Sequence, residues 1–372
     1  MGDSKPIVLL GEAWGANEAK IQRPFVGASG VELLRMLSEA GALALTSSDR
    51  DYISAYYSTG DPNQLDMVWA LHPEFHRTNV FNLHPQGNAI ESLCGDKSDS
   101  LYGYPKLSSK SPGYLRAEFA PQLERLGDEI ISLDPNLIVC LGNTPLWALA
   151  GRTGISKIRG TTCLSTHTVS GYKLLCTYHP AAVIRQWELR PTTIIDLGKI
   201  LLERGYPELQ RPRCEIWIEP EIEDIERFIN DVIIGCKILS VDIETAGQQI
   251  TCIGFAPRTD LAIVIPIHDF RRKSGSYWTS FEDERLCWGL IRSVLEDQSI
   301  AKVFQNGLYD IAFLWRAYGI KVMGAREDTM LLHHALQPES LKGLGFLGSV
   351  YTNHGAWKSE RKGIETTIKR DA

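Results

Sequence analysis

A glycine-spaced stretch near the start of the chain, from Gly11 to Gly30, carries side chains suited to chemistry on a small ligand. It follows a short apolar run, Ile7 to Leu10, that predicts a buried strand, and it leads into a predicted helix over 31–40. A loop between a strand and a helix N-terminus presents backbone amides to a polar group. Glu12 opens the loop and Phe25 comes thirteen residues later, so a carboxylate and an aromatic ring can face one planar ligand. The sequence fingerprints of a dinucleotide site and of a P-loop are absent. The alternative to a base pocket is that the loop only packs a helix on a sheet or holds a nucleotide phosphate, as many glycine-rich loops do.

A pair of carboxylates in the second half of the chain forms another candidate for chemistry. Asp242 and Glu244 lie two residues apart in ILSVDIETAG, so that both side chains leave the same face of a predicted strand. Two carboxylates held this close repel each other unless a divalent cation neutralises them. The alternative is a solvent-exposed strand face, but the apolar residues Ile238, Leu239 and Val241 favour a central strand.

Alternating strands and helices surround both sets of residues and predict two α/β domains. Before the midpoint, strands are predicted over 7–10, 78–83, 137–141 and 174–178, and helices over 31–40 and 115–133. After it, strands are predicted over 215–218, 238–242, 251–256 and 261–266, and a helix over 220–234. Two prolines and three arginines between 204 and 213 mark the boundary. Residues 95–115 read as an inserted loop that is either mobile or in contact with DNA.

The composition limits the classes of function. The chain has 372 residues, of which 44% are hydrophobic and 23% charged, as in a soluble protein of about two domains. A formal charge of -6 excludes indiscriminate coating of DNA, so that any contact with nucleic acid must come from local basic patches. Eight cysteines without a CxxC pair indicate reduced thiols. No signal peptide or apolar run of ~20 residues is visible, which predicts an intracellular protein without a membrane partner.

Three motifs in the first half resemble those of the uracil-DNA glycosylase superfamily, particularly its family 4. GEAWGANEAKIQRPFVGASGVELL resembles the first motif, with Trp14 where proline is usual. NVFNLHPQGN, which begins at Asn79, resembles the second, and HPAAVIR, which begins at His179, resembles the third. The order and spacing match over about the first 205 residues. LIVCLGNTPLWALAG, residues 137–151, resembles a strand-then-helix segment of the superfamily and is expected to be scaffold.

The resemblance implies a role for each matched residue. Glu12 would stabilise the sugar cation or position the attacking water, and His179 would stabilise the departing uracil anion. The implied binding residues are Phe25, Asn79 and Asn88 for the base, and Val183, Ile184 and Arg185 for the DNA, the first two as a wedge and the last as a phosphate contact. Family 4 enzymes usually hold an iron-sulfur cluster on four cysteines. Leu83 occupies one of those positions and an N-terminal pair is missing, so we predict no cluster.

The second half resembles the DEDD 3′–5′ exonucleases. DIET matches their first motif and KVFQNGLYD, residues 302–310, their second. The resemblance implies that Asp242, Glu244 and Asp310 bind Mg²⁺ or Mn²⁺, with Asn306 as a partner, whereas Asp328 is expected to be structural.

The third exonuclease motif, a Tyr or His four residues before an Asp, has not appeared by Ala372. Asp371 does not supply it, since Thr367 lies four residues earlier. We therefore expect an exonuclease domain that is truncated before this motif.

Together the two resemblances predict an α/β protein organised like the N-terminal part of certain bacteriophage family A DNA polymerases. We expect a glycosylase-like three-layer α/β/α sandwich over 1–207, a linker over 208–214, and a ribonuclease H-like exonuclease domain over 215–372. The expected partners are single-stranded or primer-template DNA and a polymerase domain beyond Ala372, in the cytoplasm of an infected bacterial cell. The expected activities are base excision and metal-dependent proofreading. The alternative for the first domain is a module that recognises DNA or a base and cuts nothing.

Overall fold

The computed structural model of the chain describes residues 5–101 and 103–354. These residues form two compact units. One comprises the described residues up to Arg211 together with those from Gly348 on, and the other comprises Pro212–Leu347. Thr367 and Asp371, where the third exonuclease motif was sought, lie outside the described residues.

The first unit is built on a five-stranded sheet with the order β2-β1-β5-β7-β6, in which only β6 runs antiparallel to its neighbour. Its strands are β1 (Ile7–Ala13), β2 (Phe75–Phe81), β5 (Leu137–Leu141), β6 (Thr162–Leu164) and β7 (Lys173–Thr177), and a separate short pair consists of β3 (Cys94–Gly95) and β4 (Tyr114–Leu115). Its helices are α1 (Ala16–Ile21), α2 (Ala28–Glu39), α3 (Ser47–Thr59), α4 (Pro62–Ala70), α5 (Ala120–Leu133), α6 (Asn143–Ala150), α7 (Ile155–Ile158), α8 (Pro180–Arg185), α9 (Arg190–Gly198) and α10 (Ile200–Glu203).

Apolar cores cover both faces of this sheet, which explains why β1 reads as a continuous apolar run rather than an alternating one. Leu9 lies in the core that includes α2, α4 and α9, while Val8 and Leu10 lie in the core that includes α5 and α6. The first unit is therefore a three-layer α/β/α sandwich, as the sequence predicts.

The order of the strands creates a binding crevice. β1 pairs with β2 on one side and with β5 on the other, so the chain changes direction across the sheet at β1. Ligands of open parallel sheets bind beyond the carboxyl ends of the strands at such a switch point. The ends of β1, β2, β5 and β7 all meet there.

The second unit has a mixed six-stranded sheet with the order β13-β12-β9-β10-β11-β8. Its strands are β8 (Glu215–Ile218), β9 (Leu239–Ala246), β10 (Gln249–Arg258), β11 (Leu261–Pro266), β12 (Lys302–Phe304) and β13 (Ala325–Asp328). Its helices are α11 (Ile222–Phe228), continued by a π-helical turn (Ile229–Ile233), α12 (Phe281–Glu296), α13 (Leu308–Tyr318) and α14 (Thr329–Leu336), and α15 (Leu344–Tyr351) follows. On β9, Val241 and Ile243 enter the core while Asp242 and Glu244, which alternate with them, are exposed.

Two features of the first unit add to what the sequence predicts. The short edge strand β6, which was not predicted, runs antiparallel to β7. The insertion at 95–115 is packed rather than loose, since Leu107 is buried and the Trp147 indole donates a hydrogen bond of 2.8 Å to the carbonyl of Pro105. In the part of the chain that the structure describes, no helix has the length and apolarity needed to cross a membrane.

Candidate active site

A cavity of about 340 Å³ lies at the carboxyl ends of the first unit's strands. Its lining includes four residues that the sequence singled out, Glu12, Phe25, Asn79 and His179. They come from the end of β1, the loop after α1, the end of β2 and the start of α8, so that 167 residues of sequence separate the first from the last. The fold thus brings all three glycosylase-like motifs to one pocket.

Phe25 is held in an unusual backbone conformation. Its φ of 56° lies in the left-handed region that non-glycine residues rarely adopt. The Trp69 indole donates a hydrogen bond of 3.0 Å to the Phe25 carbonyl, and Gly30 lies so close that a Cβ there would be 1.9 Å from the same oxygen. The surrounding residues therefore impose the position of the ring. Phe25 is buried, and its ring centroid lies 6.1 Å from that of His179 in a stacked arrangement.

Asn79 is buried, yet its side-chain amide makes no hydrogen bond to another described residue. Its backbone carbonyl accepts a hydrogen bond of 2.6 Å from Arg125, which fixes the end of β2. Gly11 is its partner across β1 and β2, and a Cβ at Gly11 would lie 2.2 Å from Asn79 Oδ1. Glycine at this position is what makes room for the amide. A buried amide without a protein partner that lines a cavity is arranged to bind a ligand.

The Glu12 carboxylate accepts a hydrogen bond from the Thr144 hydroxyl, which lies at the start of α6. Burial raises the pKa of Glu12 above its ordinary value, and the bond from Thr144 acts in the opposite direction. The charge of Glu91 also raises this pKa, and that of Arg185 lowers it. Residues 137–151 are therefore more than scaffold, because Thr144 orients a predicted catalytic group. Thr144 lies just beyond the end of β5, and β5 is the strand next to β1 in the sheet. This position is the signal for its role that the sequence analysis missed.

His179 is the N-cap of α8, and its Nδ1 accepts a hydrogen bond of 3.1 Å from the amide of Ala181. Burial, together with the nearby charge of Arg185, lowers its pKa to about 4. The imidazole is therefore neutral at neutral pH, and because Nδ1 accepts, Nε2 carries the proton. His179 can donate a hydrogen bond without bringing a positive charge into the cavity.

The predicted DNA contacts at the mouth are placed differently from one another. Ile184 is 45% exposed and Arg185 is exposed and lines the cavity. Val183 is fully buried in the core, so its predicted role in the wedge is wrong, because the helical turn of α8 directs it inward. Asn88 lies at the rim, exposed, at the end of a short 3₁₀ turn (Gln86–Asn88) and in a left-handed conformation with a φ of 54°.

Two departures from the family 4 motifs lie next to each other. The amide of Trp14 donates a hydrogen bond of 3.0 Å to the carbonyl of Leu83. A proline at position 14 has no N–H and could not make this bond. His84, the next residue, is 2.7 Å from the Trp14 carbonyl through Nδ1. Leu83, at the position where family 4 enzymes have a cysteine, packs against the core. The segments that follow β1 and β2 are therefore joined by two contacts to backbone carbonyls.

The carboxylates predicted to bind metal in the second unit lie on β9 and at the start of α13. Across residues 5–101 and 103–354, no group of three or more His, Cys, Asp or Glu side chains is arranged to hold an ion. Asp242 and Glu244 lie on the exposed face of β9. Asp310 is buried at the start of α13, and one of its oxygens is occupied by the amide of Ile243 at 3.1 Å. Burial and the charge of Asp242 raise the pKa of Asp310 to about 6.

Asp328 is structural, as expected. Its carboxylate caps α14 and accepts hydrogen bonds from the amides of Asn306, Gly307 and Met330. Asn306 adopts a left-handed conformation with a φ of 61°. Asp328 therefore fixes the turn that precedes α13.

Comparisons with known proteins agree with this geometry. Residues 2–197 match the family model of the Uracil DNA glycosylase superfamily. The chain belongs to the uracil DNA glycosylase superfamily. Beyond this glycosylase-superfamily region, residues 220–364 match a 3′–5′ exonuclease family model. The fold is accordingly a glycosylase-type α/β/α sandwich followed by a ribonuclease H-like α/β domain.

The chain is also similar to a curated phage protein. The chain is 25% identical over 267 residues to the DNA polymerase of Bacillus phage SP01. The match covers 63% of this glycosylase-superfamily chain and 27% of the polymerase, so the chain spans about a quarter of its relative's length.

Two of the similar solved structures are Brucella melitensis NrnC and the EXD2 exonuclease domain. Brucella melitensis NrnC is 17% identical, with 38% of this chain and 62% of that chain covered at a TM-score of 0.27. The EXD2 exonuclease domain, soaked in Mg and dGMP, is 17% identical, with 37% and 69% covered at a TM-score of 0.26.

Proposed function

We propose that the first unit excises uracil, or a closely related pyrimidine, from DNA by hydrolysis of the N-glycosidic bond. The observation that carries this proposal is the convergence in one cavity of a clamped aromatic ring, an unpaired buried amide, an oriented carboxylate and a neutral imidazole. Membership in the glycosylase superfamily supports the same activity.

Recognition requires the base to leave the stack and enter the cavity. Phe25 would stack on the pyrimidine, and the Asn79 amide would bind its edge. An amide offers a donor and an acceptor side by side, which matches the adjacent carbonyl and N–H of uracil. Asn88 at the rim would contact the same nucleotide, while Ile184 would fill the space that the base leaves and Arg185 would bind a phosphate.

Hydrolysis breaks the bond between C1′ of the sugar and N1 of uracil, and the electron pair leaves with the base. The Nε2–H of His179 would donate a hydrogen bond to the uracil oxygen on which negative charge develops. The Glu12 carboxylate would stabilise the sugar cation and take a proton from the water whose oxygen joins C1′. The products are an abasic site and free uracil, which takes up a proton in solution.

The test is release of uracil from a single-stranded oligonucleotide in EDTA, which silences any metal-dependent nuclease. We expect release by the wild type and a loss of about 100-fold or more in Glu12→Gln. Glu124→Gln is the matched control, because Glu124 is an exposed residue of α5 outside the cavity. Release that persists undiminished in Glu12→Gln would contradict the assignment of Glu12.

A second candidate is a module that recognises DNA or an extruded base and cuts nothing. Trp14 and Leu83, which a backbone hydrogen bond joins, replace two features of family 4, and this difference favours the second candidate. The same assay separates the candidates. No release by the wild type, together with oligonucleotide binding that Phe25→Ala weakens about tenfold or more, would establish the recognition module.

We also propose a role for the whole chain. The match of residues 220–364 supports a 3′–5′ exonuclease domain over 215–372, joined by the linker 208–214 to the glycosylase domain at 1–207. Asp242, Glu244 and Asp310 remain the residues proposed to bind Mg²⁺ or Mn²⁺. The similarity to a phage DNA polymerase supports a part in phage replication or repair, with DNA and a polymerase domain as partners, in the cytoplasm of the infected cell.

A further inference from the structure

An exposed tryptophan lies beside the mouth of the cavity and has no part in the mechanism above. α8 ends at Arg185, which lines the cavity, and a 3₁₀ turn (Trp187–Leu189) follows. Trp187 is 58% exposed. Its Cα lies within about 7 Å of that of Arg185, because two residues of chain span no more than this. Successive stacked bases along a strand are about 3.4 Å apart, so Trp187 is one or two nucleotides from the mouth.

The indole ring is held in place although it faces solvent. The guanidinium carbon of Arg190 lies 4.9 Å from its ring centroid. Arg190 is itself fixed by hydrogen bonds of 2.8 and 2.6 Å to Glu39 and of 2.7 Å to Glu32. A side chain ordered in advance loses little entropy when it binds a ligand. The residue is therefore a solvent-exposed aromatic plate with the guanidinium of Arg190 over one face.

The side chains beside Trp187 indicate what kind of ligand its ring can bind. Arg185 is exposed and positively charged beside it, as a contact for the phosphate backbone requires. An aromatic ring next to a basic side chain is the arrangement with which proteins bind single-stranded DNA, since every base has a face on which to stack. In a duplex, both faces of a flanking base are already covered by its neighbours.

We propose that Trp187 stacks on a nucleobase of single-stranded DNA that flanks the base held in the cavity. This inference rests on the proposed function to the extent that DNA enters the cavity, but it requires no cleavage. The stack would hold the strand at the mouth and favour single-stranded over duplex substrate.

The test uses a single-stranded oligonucleotide with 2′-fluoro-2′-deoxyuridine, which resists hydrolysis, and 2-aminopurine, whose fluorescence falls when it stacks on an aromatic ring. The 2-aminopurine is placed in turn one and two positions to each side of the uracil analogue, with the full chain in EDTA. Binding of the wild type is expected to quench the probe at one of these positions. Trp187→Phe should retain the quenching, whereas Trp187→Ala should abolish it and weaken binding about tenfold.

Tyr57→Ala is the matched control. Tyr57 is also an exposed aromatic residue, at 59%, with the guanidinium carbon of Arg35 5.5 Å from its ring centroid, but it lies on α3, from which no residue lines the cavity. This variant should quench and bind like the wild type. Equal thermal unfolding of the two alanine variants and the wild type would show that all three are folded.

The outcomes separate this inference from the proposed glycosylase. Quenching that depends on Trp187 without any uracil release would support the stacking site and contradict the excision activity. Equal quenching by Trp187→Ala and the wild type, or no binding of the oligonucleotide by the wild type, would overturn the stacking site. If uracil is still released in either case, the glycosylase proposal stands.

Discussion

Glu12 and Thr144 form the contact on which the chemistry of the cavity depends most closely. Burial disfavours the ionised form of Glu12, and the Thr144 hydroxyl favours it. The other charged or titratable groups that affect Glu12 or line the cavity are Glu18, Glu91, Tyr178, His179 and Arg185. Burial and the charge of Arg185 lower the pKa of His179 to about 4, so this imidazole is neutral at neutral pH.

Thr144→Val is predicted to move the acid limb of the pH profile of uracil release to higher pH. Loss of the hydroxyl removes an interaction that lowers the pKa of Glu12, so this already raised pKa rises further. Because the carboxylate is the active form, release rises as pH increases through the pKa of Glu12, and it should do so later in the variant. The measurement is the single-turnover rate of uracil release from about pH 4 to about pH 9, a range that begins near the ordinary pKa of a carboxyl group.

Thr144→Ser keeps the hydroxyl and should keep the wild-type profile. At high pH all three proteins should release uracil at similar rates. A uniform loss in Thr144→Val with an unmoved limb would show a structural role instead.

At the scale of elements, the loop that carries Phe25 depends on a hydrogen bond from α4. Trp69→Phe removes the indole N–H and leaves the buried Phe25 carbonyl without its partner. We predict a loss of stability of ~1–3 kcal/mol and a fall in uracil release of about tenfold, since the left-handed Phe25 loses a restraint. Denaturant unfolding and the release assay measure the two effects.

Trp147→Phe is the matched control for this variant, because it removes a buried indole hydrogen bond to Pro105 away from Phe25. It should lose similar stability but retain release. If both variants lower release equally, the contact of Trp69 with Phe25 has no special part in the site.

The backbone hydrogen bond between Trp14 and Leu83, which follow β1 and β2, gives a second prediction about secondary-structure elements. Trp14→Pro restores the family residue but removes the N–H that binds the Leu83 carbonyl. We expect the first unit to lose ~1–3 kcal/mol, or roughly 2–12 °C in Tm for a unit of about 200 residues. Trp14→Phe keeps the backbone bond and should lose less. Equal unfolding temperatures for the two variants would contradict the role of this bond.

The elements themselves were largely predictable from sequence. The strands Leu137–Leu141 and Leu261–Pro266 have the predicted bounds, because short apolar runs between turn residues identify buried strands. Glu215–Ile218 also has its predicted bounds, although it is a mostly exposed edge strand. The helix predicted over 115–133 begins only at Ala120, since the preceding residues form β4 and a 3₁₀ turn. The helical spacing of apolar residues does not show where a short strand or a 3₁₀ turn replaces the start of the predicted helix.

The site residues that belong to sequence motifs were predictable, whereas those placed by long-range packing were not. Glu12, Phe25, Asn79 and His179 follow from motifs and meet in the cavity. Thr144 was missed because its bond to Glu12 spans 132 residues and depends on β5 lying next to β1. The inward direction of Val183 likewise follows from how α8 packs.

For the whole molecule, we predict that uracil excision and 3′-end digestion are two separable activities. Asp242→Asn combined with Glu244→Gln should abolish any Mg²⁺- or Mn²⁺-dependent digestion from a 3′ end, and EDTA should do the same to the wild type. Uracil release should be unchanged in the variant, because neither residue lines the cavity of the first unit. Digestion of a 3′-labelled strand and uracil release are measured on the same preparations. Persistent digestion by the double variant would remove these carboxylates from the proposed nuclease.

The most direct test of the central claim, that the first unit reads and excises a pyrimidine, is the choice between uracil and cytosine in Asn79→Asp. The amide offers a donor and an acceptor to uracil, whereas a carboxylate only accepts. On single-stranded oligonucleotides in EDTA, we predict that the wild type releases uracil and not cytosine, and that the variant loses uracil release about 100-fold or more and shifts its preference towards cytosine. Equal release of uracil by both proteins, or none by the wild type, would contradict the account.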